Sequence, residues 1–158
     1  MDVTLKIYST FTKKYMGLVY ADIELINAED IALARNYKIG EEEVKRLSIS
    51  ILVDTGAYNL CINESIQSQL KLPFIEKRSG ETADGRRIEC DVVGPVHVKF
   101  KNRNTICTAM VLSGDNEPLL GAIPLEDMDV LINPLRQELV VNPDHPYFAQ
   151  MKLKGLRR

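Results

Sequence analysis

The chain has 158 residues, of which 45% are hydrophobic. This is enough for one domain with a substantial core and too little for two lobes of ordinary size. The formal net charge of −2 excludes the basic surface that binds nucleic acid. We therefore predict a single domain over residues 1–158, with no nucleic-acid partner.

Cysteine content and apolar patterning bear on the cellular location. Cys61, Cys90 and Cys107 form no Cys-x-x-Cys pair, so we expect reduced thiols rather than a secreted disulfide scaffold. Residues 1–18 lack an apolar run of signal-peptide length, and no segment is apolar enough for a membrane span. The prediction is a cytoplasmic protein without a membrane partner. We interpret the basic residues of 150–158 as a solvated tail, with an anionic partner as the alternative.

The first elements are a strand and a helical insertion. Residues 17–26 alternate apolar and polar in their second half, as a half-buried strand does. Asn27 can cap a helix whose first turn is acidic, and Gly40 marks its end. A second short helix is expected from Glu41 through Leu47. We therefore predict a helical insertion over residues 28–48, between two strands.

The rest of the chain is predicted to be mostly β-structure. A strand over 49–53 leads into a turn at Asp54 and is followed by a strand over 60–62. Asn63 is a plausible cap for a helix over 64–70, which Pro73 ends. One more short helix is expected across 124–128. The remaining predicted strands are 81–83, 86–93, 95–101, 105–112, 129–132 and 138–141.

The run Ile51-Leu52-Val53-Asp54-Thr55-Gly56-Ala57 carries the most chemical information. Three apolar residues deliver one carboxylate to a turn, and Gly56 allows another backbone to approach closely. An aspartic peptidase presents its catalytic carboxylate in this way, and the chemistry needs two carboxylates that share one proton. Because the run occurs once, an enzyme of this kind must take its second carboxylate from a second chain. The alternative is that Asp54 only caps its own turn.

Two further elements follow the Asp54 turn. Asp84-Gly85, within the stretch 82–87, is a strong hairpin signal, and the alternative is an ordinary surface hairpin. Leu119-Leu120-Gly121 indicates a buried strand whose last residue lets another backbone pass close by. The alternative there is a core strand that ends at a helix.

In this order the three elements resemble the retropepsin-like aspartic peptidases, over about residues 17–143. The resemblance implies a closed acid-protease barrel with two or three short helices, acting as a homodimer. It also implies a role for each matching position. In the first turn Asp54 is catalytic, Thr55 and Gly56 support the catalytic turn, and Gly56 and Ala57 contact the substrate. The tip of a flap over the substrate is formed by Ala83, Asp84, Gly85 and Arg86, and Leu120 and Gly121 pack behind the catalytic turn.

The chain departs from the retroviral pattern at several positions. Asp84 and Arg86 occupy a flap that is glycine-rich in retroviral members, and Ala122 stands where those members often carry arginine. Tyr58 and Asn59 stand where they tend to have acids. These differences bear on substrate preference and on the ion pair that usually braces the subunits, and they leave the catalytic pair unchanged.

No other constellation competes with this site. His97 and His145, the only histidines, have no ligand-like spacing, so no metal is expected. No Gly-x-Ser-x-Gly elbow or phosphate-binding loop is present, and no cofactor is expected. The predicted function is a homodimeric aspartic endopeptidase in which a pair of Asp54 carboxylates activates water to cleave a peptide or protein. The alternatives are a catalytically silent module for dimerisation or peptide binding, and a hydrolase that uses another site.

Overall fold

The computed structural model describes residues 17–153, and that part of the chain is mostly β-structure. It contains nine strands, three α-helices and one short 3-10 helix. The elements in chain order are β1 (Tyr20–Asn27), α1 (Ala28–Arg35), the 3-10 helix (Glu41–Glu43), β2 (Arg46–Val53), β3 (Leu60–Asn63), α2 (Glu64–Leu70), β4 (Phe74–Glu81), β5 (Arg87–Phe100), β6 (Arg103–Leu112), β7 (Leu119–Leu120), α3 (Ala122–Asp127), β8 (Val130–Asn133) and β9 (Glu138–Val141).

Six of the strands close into a ring. Their order is β1-β2-β7-β3-β6-β5, and β5 pairs back to β1 through Glu24↔Lys99 and its neighbours. β4 pairs with β5 outside the ring, and β8 and β9 form a separate hairpin. The predicted fold, a mostly β closed barrel with a few short helices, is confirmed.

The barrel interior is the main hydrophobic core. Along β1 the buried residues Ala21, Ile23 and Leu25 alternate with more exposed ones, as the two faces of a strand require. Leu60, Ile62, Val93, Ala109 and Leu120 belong to the same apolar cluster. Burial of this face is the main favourable contribution to folding.

The insertion is less helical than predicted. α1 is capped as expected, since Asn27 Oδ1 accepts a hydrogen bond from the backbone of Asp30 (3.1 Å). The second predicted helix, through Leu47, is wrong, because only Glu41–Glu43 form a 3-10 turn and β2 already begins at Arg46. The backbone pairs of this segment with β1, such as Leu25↔Leu47, outweigh its local helical preference.

The register also places the insertion far from the Asp54 turn. β1 and β2 are antiparallel, so the insertion joins their ends at Asn27 and Arg46, while Asp54 follows the other end of β2. Seven residues of strand separate the two ends, which is about 24 Å. Asn27 ties the insertion to α2 through a hydrogen bond from its Nδ2 to the carbonyl of Leu70 (2.9 Å).

Several strand boundaries correct the sequence prediction. The predicted strand 81–83 is wrong, since Phe74–Glu81 forms β4 and Thr82 lies in the following turn. The predicted strands 86–93 and 95–101 are one strand, β5, with a bulge between Val93 and Val96. The helix predicted across 124–128 begins earlier, at Ala122. α2 has the predicted bounds.

The three cysteines are unpaired, as expected. Among the described residues, no helix has the length and apolar character that crossing a bilayer requires. The predictions for residues 1–16, and for the end of the tail at 154–158, lie outside the described residues.

Candidate active site

The Asp54 turn owes its position to the strand order. It connects β2 to β3, which are not neighbours, because β7 lies between them and pairs with both. The turn therefore crosses the end of β7, where the backbone N–H of Asp54 donates to the carbonyl of Leu120 (3.0 Å). This long-range bond holds the carboxylate-bearing residue at the mouth of the barrel.

Local hydrogen bonds set the shape of the turn. The backbone N–H of Gly56 donates to Asp54 Oδ1 (2.8 Å), and that of Ala57 donates to the Asp54 carbonyl (3.1 Å). Asp54 and Thr55 are half-buried, whereas Gly56 is exposed. The local cap considered as an alternative from the sequence is therefore present. It also orients the carboxylate, so a cap and a catalytic role are compatible.

Gly121 supports the turn from behind. Its φ of −88° is ordinary, but a Cβ there would lie 2.8 Å from the carbonyl oxygen of Ala57 and closer still to that of Asn59. α3 starts at this point, and the N–H groups of Ala122 and Ile123 donate to the carbonyls of Ala57 (2.9 Å) and Tyr58 (3.0 Å). Only glycine fits where the chain turns from β7 into α3 against the Asp54 turn.

The stretch 82–87 forms the turn of the β4–β5 hairpin. The N–H of Thr82 donates to the carbonyl of Arg86 (2.8 Å), and that of Gly85 donates to the carbonyl of Thr82 (2.9 Å). Gly85 has a φ of +84°, in the left-handed region that glycine tolerates. The four predicted flap residues, Ala83 to Arg86, are all exposed. We call residues 82–86 the flap turn.

A second apolar surface lies outside the main core. Cys61, Met110 and Val92 occupy one level of β3, β6 and β5, and Leu119 pairs with Cys61 from β7. They point away from the barrel interior, because the next residues along these strands belong to the core and successive side chains alternate. A Cβ on Gly80 in β4 would lie 3.7 Å from Met110 Cε, so the surface reaches the hairpin that carries the flap turn.

The thiol of Cys61 lies within range of the charge of Asp54. Burial is the main cause that raises the pKa of Cys61, to about 11, and the nearby Cys90 and the charge of Asp54 add to it. The thiol is therefore neutral at physiological pH and acts as a small apolar side chain.

Potential metal ligands do not cluster in the part of the chain that the structure describes. His97 lies 2.9 Å from the side-chain oxygen of Asn104, and Nδ1 of His145 lies 2.5 Å from Asp129 Oδ2. Both histidines thus have polar partners within the fold.

The sequence-predicted site residues fall into two groups. Asp54, Thr55, Gly56 and Ala57 share the turn at the mouth of the barrel, and Ala83, Asp84, Gly85 and Arg86 share the flap turn. Within residues 17–153, the side chains of Asp84 and Arg86 bond only inside the flap turn. The fold thus offers one carboxylate on a rigid turn, an apolar surface beside it and a separate exposed hairpin.

Comparison with known proteins agrees with this geometry. A family model described as aspartyl protease matches residues 37–138, almost two thirds of the chain. The match contains both turns and the Leu119-Leu120-Gly121 segment. No curated protein matches the chain.

Proposed function

This chain belongs to the retropepsin-like aspartyl protease family, and we propose that it is a homodimeric aspartic endopeptidase. The family supports peptidase activity in general. The dimer, the catalytic roles of individual residues, the single-domain organisation and a cytoplasmic location are parts of the proposal. The unpaired thiols of Cys61, Cys90 and Cys107 support the last of these.

The proposal depends mainly on one observation, which is that distant parts of the chain hold a single Asp54 turn in place. Backbone hydrogen bonds with Leu120, Ala122 and Ile123, together with the close approach of Gly121, hold this turn at the mouth of the barrel. Catalytic groups act through such preorganised positions. One chain supplies one such turn, and the chemistry needs two carboxylates. A second copy, related by a two-fold axis, supplies the other Asp54.

The mechanism follows from the paired carboxylates. Two carboxylates held side by side share one proton, because both cannot ionise at that distance. The ionised Asp54 takes a proton from a water molecule between the pair, and the protonated Asp54 polarises the scissile carbonyl. Thr55 of each turn bonds to the opposite turn and locks the pair. The reaction has no covalent intermediate and needs no cofactor.

The substrate binds as an extended peptide. The exposed Gly56 offers its main chain to the peptide backbone, and Ala57 lines the floor of the cleft beside it. Ala83, Asp84, Gly85 and Arg86 close over the peptide as the tip of the flap. The partly exposed Met110 and Leu119, which lie beside the buried Cys61 and Val92, receive an apolar side chain of the substrate.

Cleavage of a diverse peptide pool, analysed by mass spectrometry, tests the proposal. We expect the wild type to cleave within a bell-shaped pH range, since activity requires one shared proton. Asp54→Asn should lower kcat by at least about a thousandfold, as expected for loss of the general acid and base. The matched control is Asp22→Asn, an exposed carboxylate on β1, which should retain activity.

Sedimentation of the same proteins tests the dimer. Wild type and Asp54→Asn should both sediment as dimers, so that loss of cleavage reports chemistry rather than assembly. Cleavage that persists in purified Asp54→Asn would contradict the proposed site. A dimeric wild type that cleaves no peptide at any pH would favour the silent binding module instead.

A further inference from the structure

Polar side chains brace the flap turn internally. Asp84 Oδ2 accepts from the guanidinium Nε of Arg86 (2.8 Å), and Asp84 Oδ1 lies 3.4 Å from the backbone N of Arg86. The hydroxyl of Thr82 donates to Asp84 Oδ1 and lies 3.1 Å from the carbonyl of Arg86. The Asp84 carboxylate therefore joins the Thr82 hydroxyl at the start of the flap turn to the Arg86 guanidinium at its end.

The surroundings of the flap turn offer little other support. In β4 every residue except Gly80 is exposed, and so are Arg87, Ile88 and Glu89 at the start of β5. Apart from its two chain neighbours, no described residue has an atom within 4 Å of the position that a Cβ on Gly85 would take. Without core packing, the conformation of this turn depends on its own hydrogen bonds.

We propose that Asp84 is a positioning residue, whose carboxylate holds the flap turn in one conformation and so reduces the ordering that closure over a peptide requires. The inference rests on the proposed peptide binding, and it concerns the free protein. Ordering a loop on binding lowers affinity, and a loop already in its bound shape avoids that cost. Asp84 therefore tightens peptide binding without taking part in the bond-breaking step.

The charge of Asp84 sets the pH range over which its hydrogen bonds brace the flap turn. The Thr82 hydroxyl is the main cause that lowers the pKa of Asp84, followed by the backbone N–H and then the guanidinium of Arg86. The charged residues that flank the flap turn are Glu81 and Arg87, which face each other across β4 and β5, and the other charged residues of the hairpin lie farther from the turn. Since the folded-state pKa is lowered, the brace is complete above the ordinary carboxyl value of about 3.9 and is lost as pH falls through the lowered value.

Amide hydrogen exchange tests the brace directly. At pH 6, Asp84→Ala should raise the exchange rates of the Gly85 and Arg86 amides about two- to fivefold, the range expected for an exposed charged contact, and Asp84→Asn should raise them less. The matched control is Asp91→Asn, which removes the Lys77–Asp91 ion pair (3.0 Å) from the same hairpin, away from its turn. Its flap-turn amides should exchange as in the wild type. Unchanged exchange in Asp84→Ala would overturn the proposal.

Peptide affinity tests the consequence. In the Asp54→Asn background, the Kd for a fluorescent peptide should rise about two- to fivefold with Asp84→Ala and stay constant with Asp91→Asn. In active protein KM should rise by the same factor with kcat unchanged. Constant affinity, a fall in kcat alone or an Asp54→Asn protein that binds no peptide overturns the proposal. If the wild type binds peptide but never cleaves it, the endopeptidase proposal fails while the Asp84 effect on Kd still supports this one.

Discussion

The two turns that carry the candidate site are held in different ways. The glycine packed against the Asp54 turn and the glycine within the flap turn show the difference. Gly121, behind the Asp54 turn, has an ordinary φ of −88° but no room for a side chain. Gly85, in the flap turn, has open space around it but a φ of +84°. The first glycine is required by tertiary packing and the second by local backbone conformation.

This difference matches the roles proposed for the two turns. Bonds to Leu120, Ala122 and Ile123 tie the Asp54 turn to residues more than 60 positions away. A catalytic carboxylate benefits from such rigidity, because misplacement by about 1 Å can cost a hundredfold in rate. Among residues 17–153, the hydrogen bonds of the flap turn all lie within it, so its shape depends on local contacts.

Replacement of Gly121 should have the largest effect. In Gly121→Ala the new methyl group would collide with the carbonyls of Ala57 and Asn59, which belong to backbone and cannot rotate away. We expect the free energy of unfolding to fall by about 3 kcal/mol or more, or folding to fail. Urea unfolding measures the loss, and a peptide-cleavage assay on any folded protein should show reduced kcat. An unchanged unfolding midpoint would contradict the close approach seen here.

Replacement of Asp129, in the turn that follows α3, should have the next largest effect. Asp129 accepts from the side chain of Asn142 (2.9 Å) and from the backbone N–H of Gln150 (3.1 Å), and it contacts His145. It thereby holds the segment after β9 against the turn that follows α3. Asp129→Asn should cost about 2 kcal/mol of unfolding free energy at pH 7, because it removes a charged acceptor.

The pH dependence identifies Asp129 as the source of that loss. Partial burial raises its pKa, but the hydrogen bonds from Asn142, Gln150 and His145 outweigh burial and lower it overall. The stabilisation is therefore present above the ordinary value of about 3.9 and disappears as pH falls through the lowered value. Urea titrations should show wild type and Asp129→Asn converging below that range. A constant difference at all pH values would mean that charge is not the cause.

Gly85→Ala should have the smallest effect of the three. An alanine at φ +84° costs about 1 kcal/mol, and no neighbour is displaced. Because the flap turn is held locally, we expect faster amide exchange there and no change at the Asp54 turn. If Gly85→Ala destabilises the fold as much as Gly121→Ala, the two turns do not differ in the way described.

Short-range patterns explain which elements could be predicted from sequence. The caps at Asn27 and Asn63, the Asp84-Gly85 hairpin and the apolar strand before Asp54 all depend on residues within a few positions of one another. The solitary Asp54 run led to the prediction of half of an active site without a structure, and that assignment stays a prediction. Family resemblance added the significance of Gly121.

Backbone pairing between strands explains the errors. β4 escaped prediction because nearly every residue along it is exposed, which leaves no alternation to detect, and only its ladder with β5 makes it a strand. Arg46 to Ser48 follow an acidic helical turn and were predicted as helix, but pairing with β1 makes them β-structure. In both cases the strand is defined by the backbone with which it pairs rather than by its own side-chain pattern.

By itself the sequence determined the chemistry of the candidate site: one carboxylate on a glycine-containing turn, a hairpin after it and a glycine-ended apolar strand. Only the tertiary structure decided that β7 passes between β2 and β3, that a Cβ on Gly121 would collide with the carbonyls of Ala57 and Asn59, and that Cys61 lies outside the main apolar cluster. The physical reason is that turns and caps are local, whereas strand order and the face that a side chain occupies depend on which distant backbones pair.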